Sequence, residues 1–159
     1  VLEPAAANVA SAREEYQNLL PLVTVFSPNT LEAQTITGAL DPREMLEILL
    51  SWGAGVVAIR MGDRGSLVGA ANGERWQVPP VVRTLVDVTG AGNAYCGGFL
   101  VGCGDGWSVR DAALRASVSA SFAIEQFSIP MFDERLSEER DARLLQAAER
   151  IRRLDGEND

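Results

Sequence analysis

The chain has 159 residues, 47% hydrophobic and 23% charged, the balance of a globular domain long enough to bury a real core. Its formal charge of -8, with all 14 basic residues arginine, argues against nucleic acid or an anionic membrane surface as the main partner. The lack of lysine and histidine excludes a P-loop lysine, a Ser-His-Asp triad, a histidine base and histidine metal ligands, so any metal must be held by oxygen, as Mg²⁺ prefers.

In chain order, Val1-Leu2-Glu3-Pro4 reads as the end of a strand, and the missing methionine suggests a fragment or a truncated product. Ser11-x-x-Glu14 forms a capping box for a short helix towards Leu19 and Leu20, ended by Pro21. Leu22 to Phe26 is nearly continuous in apolar residues, as in a strand buried in a parallel sheet. Thr30 to Thr37 reads as a helix stopped by Gly38. Asp41-Pro42-Arg43-Glu44 opens another helix, with Met45, Leu46, Leu49, Leu50 and Trp52 on one side, ending at Gly53. Gly55 to Arg60 is again a continuous apolar strand, and strand-helix-strand with short links is the grammar of a parallel α/β unit.

Gly62 to Gly65 makes a tight turn into Ser66–Ala70, and Asn72-Gly73 supplies a hairpin turn to Arg75–Val78. Pro79-Pro80 forces an extended link. A small-residue turn at Gly90–Gly92 then leads into an apolar run of helical length. Cys96 and Cys103 share a face of that helix but sit roughly 10 Å apart, so two buried reduced thiols are expected. Ser108-x-x-Asp111 caps an alanine-rich helix from Val109 to about Ile124. Met131 to Leu136 reads as irregular, and Ser137 as the cap of a final helix bearing Leu144, Leu145, Ala148 and Ile151, with arginines and glutamates outward. With no repeats and no linker, one domain over 1–154 and a polar tail over 155–159 are expected. No apolar run reaches membrane-spanning length and no charged n-region precedes an apolar h-region in these residues, so a cytoplasmic location is expected.

Three stretches carry chemistry. Asn29 and Glu32 follow a strand's carboxyl end, where open α/β sheets place ligands, and their spacing puts both on one side of the first helical turn. They can serve as an N-cap and its dipole-matched partner, worth about 1 kcal/mol, or as ligands; the two roles are compatible. In Arg60-Met61-Gly62-x-x-Gly65, the arginine can meet a phosphate bidentately or stand as a strand-end surface charge. In Asp87-x-Thr89-Gly90-Ala91-Gly92-Asn93-Ala94-Tyr95-x-Gly97-Gly98-Phe99, the glycines leave the first amides of a helix uncovered for an anion, or form a glycine-rich turn without a ligand. Asp87 can equally close an Asx turn on its own loop, and Tyr95 and Cys96 read as core. A dinucleotide fingerprint is disfavoured, because its third glycine position is Tyr95.

That last string resembles the C-terminal signature of the PfkB/ribokinase family of carbohydrate and nucleoside kinases, commonly Asp-Thr-Thr-Gly-Ala-Gly-Asp-x-Phe-x-Gly-Gly-Phe. The resemblance runs from about Val1 to Leu145 and covers the C-terminal half of a family member, so the sugar-contacting N-terminal half and the lid would lie elsewhere. It implies an α/β fold with a three-layer parallel sheet flanked by helices. It further implies ATP, Mg²⁺ and a monovalent cation as cofactors, and a sugar or nucleoside hydroxyl as phosphoryl acceptor. Gly90, Ala91 and Gly92 would form the anion hole, with Asn93 at the position of the family's catalytic aspartate. Asn29 and Glu32 match the Asn-x-x-Glu motif that organises Mg²⁺ through water. Arg60, Gly62 and Gly65 match the turn on the nucleotide's phosphate side, and Asp87 and Thr89 lie beside the anion hole near the cation loop.

Adenine would rest between the Ala113–Glu125 helix and Gln126-Phe127-Ser128-Ile129-Pro130, where the family's usual glycine is absent. A carboxamide cannot accept the acceptor's proton, and loss of a positioned base costs about 10²–10⁴ in rate. The resemblance therefore implies a slowed kinase or, alternatively, a non-catalytic nucleotide-binding or interaction module on the same fold.

Overall fold

The β-branched and apolar runs become short strands and the capped segments become helices. The computed structural model describes residues 1–4, 13–81, 84–127 and 134–154. Helices are α1 (Arg13–Leu19), α2 (Thr30–Thr37), α3 (Pro42–Ser51), α4 (Ala91–Gly104), α5 (Val109–Ile124) and α6 (Glu134–Arg150), and strands are β1 (Val25–Phe26), β2 (Val56–Arg60), β3 (Ser66–Ala70), β4 (Arg75–Val78) and β5 (Arg152–Arg153). These fall into two units, one of Val1–Gly62, Ser66–Gln77 and Arg152–Asp159, the other of Asp63–Gly65 and Val78–Ile151.

The first unit holds a five-stranded sheet in the order β1-β2-β3-β4-β5. β1 and β2 are neighbouring parallel strands, with Val25 opposite Val56, as the sequence predicts. The rest is not parallel. β2 pairs antiparallel with β3 and β4 antiparallel with β5, so the sheet is mixed. The reason is local: the Gly62–Gly65 turn is far too short for the crossover that a parallel neighbour needs. Leu2 bridges Phe26 in parallel, which bears out the strand-like reading of the opening residues.

The predicted strand over Leu22–Phe26 is shorter than expected. Pro21 lies inside a 3₁₀ turn over Leu20–Leu22, and Leu22 is exposed. The core of this unit includes Leu20, Phe26, Ile36, Met45, Leu49 and Ile59. Asp41 caps α3 by accepting from the Arg43 and Glu44 amides, and Gly38 ends α2 at φ 79°. Ser11, proposed as a cap, lies outside the described residues, as do Ser128–Pro130 and the tail.

The second unit is helical. Gly98 and Gly102, one turn apart on α4, face α5: a Cβ on Gly102 would stand 2.7 Å from that of Ala112, and one on Gly98 3.0 Å from Ala116 Cα. The small residues let the two backbones approach closely, around Phe99, Ala113 and Ala116. Ser108 caps α5 and Ser117 donates to the Pro79 carbonyl at 2.8 Å.

Three expectations fail here. Residues 134–136 are helical rather than irregular, so Ser137 lies inside α6 instead of capping it. Nor do all of α6's charges face outward, since Arg143 is 1% exposed. Cys96 and Cys103 form no disulfide with each other, and both are half-buried rather than buried. Among the described residues no helix is long and apolar enough to cross a membrane.

Candidate functional site

In the first unit the end of β2 and the start of α2 meet, through an isolated parallel bridge between Asn29 and Arg60. Asn29 is the N-cap of α2. Its Oδ1 accepts from the Glu32 amide at 2.9 Å, and Glu32 Oε2 accepts from the Asn29 amide at 2.7 Å, a complete capping box. The capping role weighed from the sequence is therefore realised. Glu32 is 8% exposed, a buried carboxylate at the first turn of a helix.

Arg60 joins them. Its Nη2 lies 2.6 Å from Glu3 Oε1 and 3.6 Å from Glu32 Oε2. The surface-charge reading of Arg60 is corrected, because its side chain is only 14% exposed and its Nε is buried with no hydrogen-bond partner among the described residues. Thr30 Oγ1 donates to the Arg60 carbonyl at 3.2 Å, fixing the strand end on the helix start. Sequence reasoning missed Glu3 and Tyr16. The Tyr16 hydroxyl is pushed up in pKa by burial and by the charges of Glu32 and Glu15, and its ring packs 5.5 Å from that of Phe26. Only the strand-like character of Val1–Pro4 could have hinted at Glu3; no signal marks Tyr16. Gly62 follows with φ 61°.

The one buried carboxylate at this helix start is Glu32. Glu32 Oε2 is engaged by the cap, and among the described residues no three His, Cys, Asp or Glu side chains lie together as a cage. Mg²⁺ keeps several waters and takes one or two carboxylates plus phosphates, which a single buried glutamate suits.

In the second unit Asp87 Oδ1 accepts from the Thr89 amide at 2.9 Å, the Asx turn weighed from the sequence. The Thr89 amide and hydroxyl hold the Asp87 carboxyl below its ordinary pKa. The Val86 and Asp87 amides both donate to the Ile124 carbonyl, at 2.8 and 3.1 Å, so the last carbonyl of α5 anchors the approach to the turn.

Gly90 then adopts φ 82°, a left-handed conformation that glycine reaches without strain, and becomes the N-cap of α4 with no side-chain cap. The Ala91 amide reaches the Val88 carbonyl at 3.2 Å, whereas the Gly92 and Asn93 amides have no acceptor among the described residues. A helix N-terminus with two free amides is an anion-binding arrangement. Asn93 is exposed and Tyr95 is buried, as the sequence suggests. Gly65 adopts φ 80°, and a Cβ there would strike the Val78 carbonyl.

Solved structures define the class as the ribokinase-like α/β fold. The chain is similar to ribokinase from Thermotoga maritima, at 25% identity and TM-score 0.72 over 90% of this chain and 48% of that one. It also overlays Arabidopsis thaliana ribokinase complexed with ribose and ATP, at 22% identity and TM-score 0.69 over 80% and 43%. The chain belongs to the pfkB family of carbohydrate kinases, whose domain matches residues 1–129. Among curated relatives, cytidine kinase of Thermococcus kodakarensis is 37% identical over 91 residues, 57% of this chain and 33% of the relative. The chain thus spans about a third of the length of the curated relatives it matches, and under half of the solved ones.

Proposed function

We propose that this chain supplies the phosphate-binding and metal-organising part of an ATP-dependent kinase acting on a hydroxyl of a sugar or nucleoside, with transfer slowed by Asn93. The observation that carries the reading is the start of α4, where Gly90 opens the helix and the Gly92 and Asn93 amides have no acceptor among the described residues. Gly90, Ala91 and Gly92 would stabilise the charge on the transferring phosphoryl group, a term that supplies much of phosphoryl-transfer catalysis. Asp87 and Thr89 hold the turn in shape and, in the same reading, border a monovalent-cation loop. Gly65 belongs to the nucleotide's phosphate side.

In the first unit Asn29 and Glu32 organise Mg²⁺ through water, while Arg60 and Gly62 serve the nucleotide phosphates. When bound, the ion would neutralise phosphate charge. Asn93 would orient the acceptor hydroxyl without taking its proton, since a carboxamide has no basic lone pair of useful pKa. Supporting ATP as donor is family membership, together with the ribose and ATP bound by the Arabidopsis ribokinase. Because the 159 residues span about a third of the curated relatives, no sugar kinase activity is expected of them alone.

A second reading, a non-catalytic nucleotide-binding or interaction module, is favoured by the neutral amide at Asn93. Calorimetry of the full-length gene product with ATP and Mg²⁺ tests what both readings share. Binding that Gly92→Val abolishes is expected, and no binding, or binding indifferent to Gly92→Val, would contradict both.

A further inference from the structure

We infer that Arg143, remote in sequence from every motif, is a positioning residue that sets the phosphate turn through the end of α5; this rests on the phosphate-binding reading of Gly90–Gly92. Arg143 is 1% exposed on α6. Its Nη1 donates to Ser121 Oγ at 2.7 Å and to Glu125 Oε1 at 3.1 Å, and its Nη2 donates to Glu125 Oε2 at 2.5 Å and to Glu139 Oε1 at 2.6 Å. The guanidinium also stands 4.1 Å from the Phe122 ring centre. Three of these partners, Ser121, Phe122 and Glu125, belong to the last turn and C-cap of α5, so a single side chain grips that helix end on several sides. A cation is also the favoured charge at a helix C-terminus.

What this helix end holds is the turn. The Ile124 carbonyl, adjacent to Glu125, accepts the Val86 and Asp87 amides, and the Asp87 carboxylate in turn accepts the Thr89 amide immediately before Gly90. The link therefore runs from Arg143 to Glu125, along the backbone to Ile124, and on to Asp87, Thr89 and the Gly92 and Asn93 amides, which have no acceptor among the described residues. A bidentate arginine-carboxylate pair is geometrically demanding, which suits it to fixing a helix end rather than merely filling space. Plain packing would have been served by an apolar residue of similar volume, since buried ion pairs add little net stability.

The test measures Mg-ATP affinity by calorimetry, and hydrogen exchange at the Val86, Asp87 and Thr89 amides, in the full-length gene product. Arg143→Met should weaken binding about tenfold, in the usual range of coupling between separated groups. It should also speed exchange at those three amides while the β2 amides are unchanged, and Arg143→Lys should recover part of the affinity. In an Asp87→Ala background, which removes the acceptor for the Thr89 amide, the effect of Arg143→Met should largely disappear, because both act on one turn. Additive losses would overturn the inference. If Arg143→Met does not fold, Glu125→Gln, which keeps an acceptor and loses the charge, answers in its place by the same criteria. Wild-type affinity and exchange in both variants, with binding lost in Gly92→Val, would overturn the positioning role and leave the phosphate reading standing. Binding indifferent to Gly92→Val, with exchange accelerated in Arg143→Met, would sustain the structural link and overturn the phosphate reading.

Discussion

Asn29 and Glu32 cap each other: each side chain accepts the other's backbone amide, at 2.9 and 2.7 Å. One pair of residues thus starts α2 and keeps a buried carboxylate at the carboxyl end of the sheet. The two duties separate by substitution. Asn29→Ala should destabilise the fold by about 1 kcal/mol, the ordinary worth of an N-cap, read from the urea midpoint. Glu32→Gln keeps a side-chain acceptor for the Asn29 amide, so it should change stability by well under that and still weaken Mg²⁺-dependent ATP binding. A stability loss in Glu32→Gln equal to that in Asn29→Ala, with binding intact, would reduce Glu32 to a cap.

The α4–α5 contact yields a prediction of opposite signs on one helix. Gly102→Ala would put its Cβ 2.7 Å from that of Ala112, so the backbones must move apart, at about 1–3 kcal/mol for overpacking. Gly97→Ala meets nothing within 4 Å and should stabilise the helix by about 0.5–1 kcal/mol. Thermal denaturation of the two variants should shift Tm in opposite directions, and equal shifts would contradict the packing described.

Legibility followed locality. The bounds of α2 and the start of α5 could be read to the residue, because Asn29, Gly38 and Ser108 are caps whose partners lie within four positions. The parallel pairing of β1 with β2 was readable from two apolar runs separated by two helices, α2 and α3. What escaped depends on distant partners. The burial of Arg143 is invisible in α6's own periodicity, since Ser121 and Glu125 lie 22 and 18 residues away. β5 is two exposed arginines, Arg152 and Arg153, that count as strand only through pairing with Gln77 and Trp76. The same holds at the site. Asn29, Glu32 and the Gly90–Gly92 turn announce themselves by local spacing, while Glu3 reaches Arg60 from the far end of the chain.

Asp87 gives a pH prediction. Its carboxyl titrates below the ordinary value of 3.8, owing to the Thr89 amide and then the Thr89 hydroxyl. A lowered folded pKa means that the turn's contribution is complete above the unfolded pKa and is lost as pH falls through the lower folded value. NMR titration should therefore place the Asp87 midpoint below that of an unstructured aspartate, and Thr89 amide protection should fall in the same acidic window. Thr89 protection unaltered in Asp87→Ala at neutral pH would contradict the Asx turn.

The central claim is that Asn93 leaves the family's phosphoryl-transfer site without its base, and one measurement tests it most directly. Phosphoryl transfer from saturating Mg²⁺-ATP to a panel of sugars and nucleosides is compared between the full-length gene product and its Asn93→Asp variant. Transfer should rise roughly 10²-fold or more in the variant, the range for a restored general base, while ATP affinity changes little. A brisk rate in the unaltered protein that aspartate does not improve would contradict the claim, because another group would then be taking the proton.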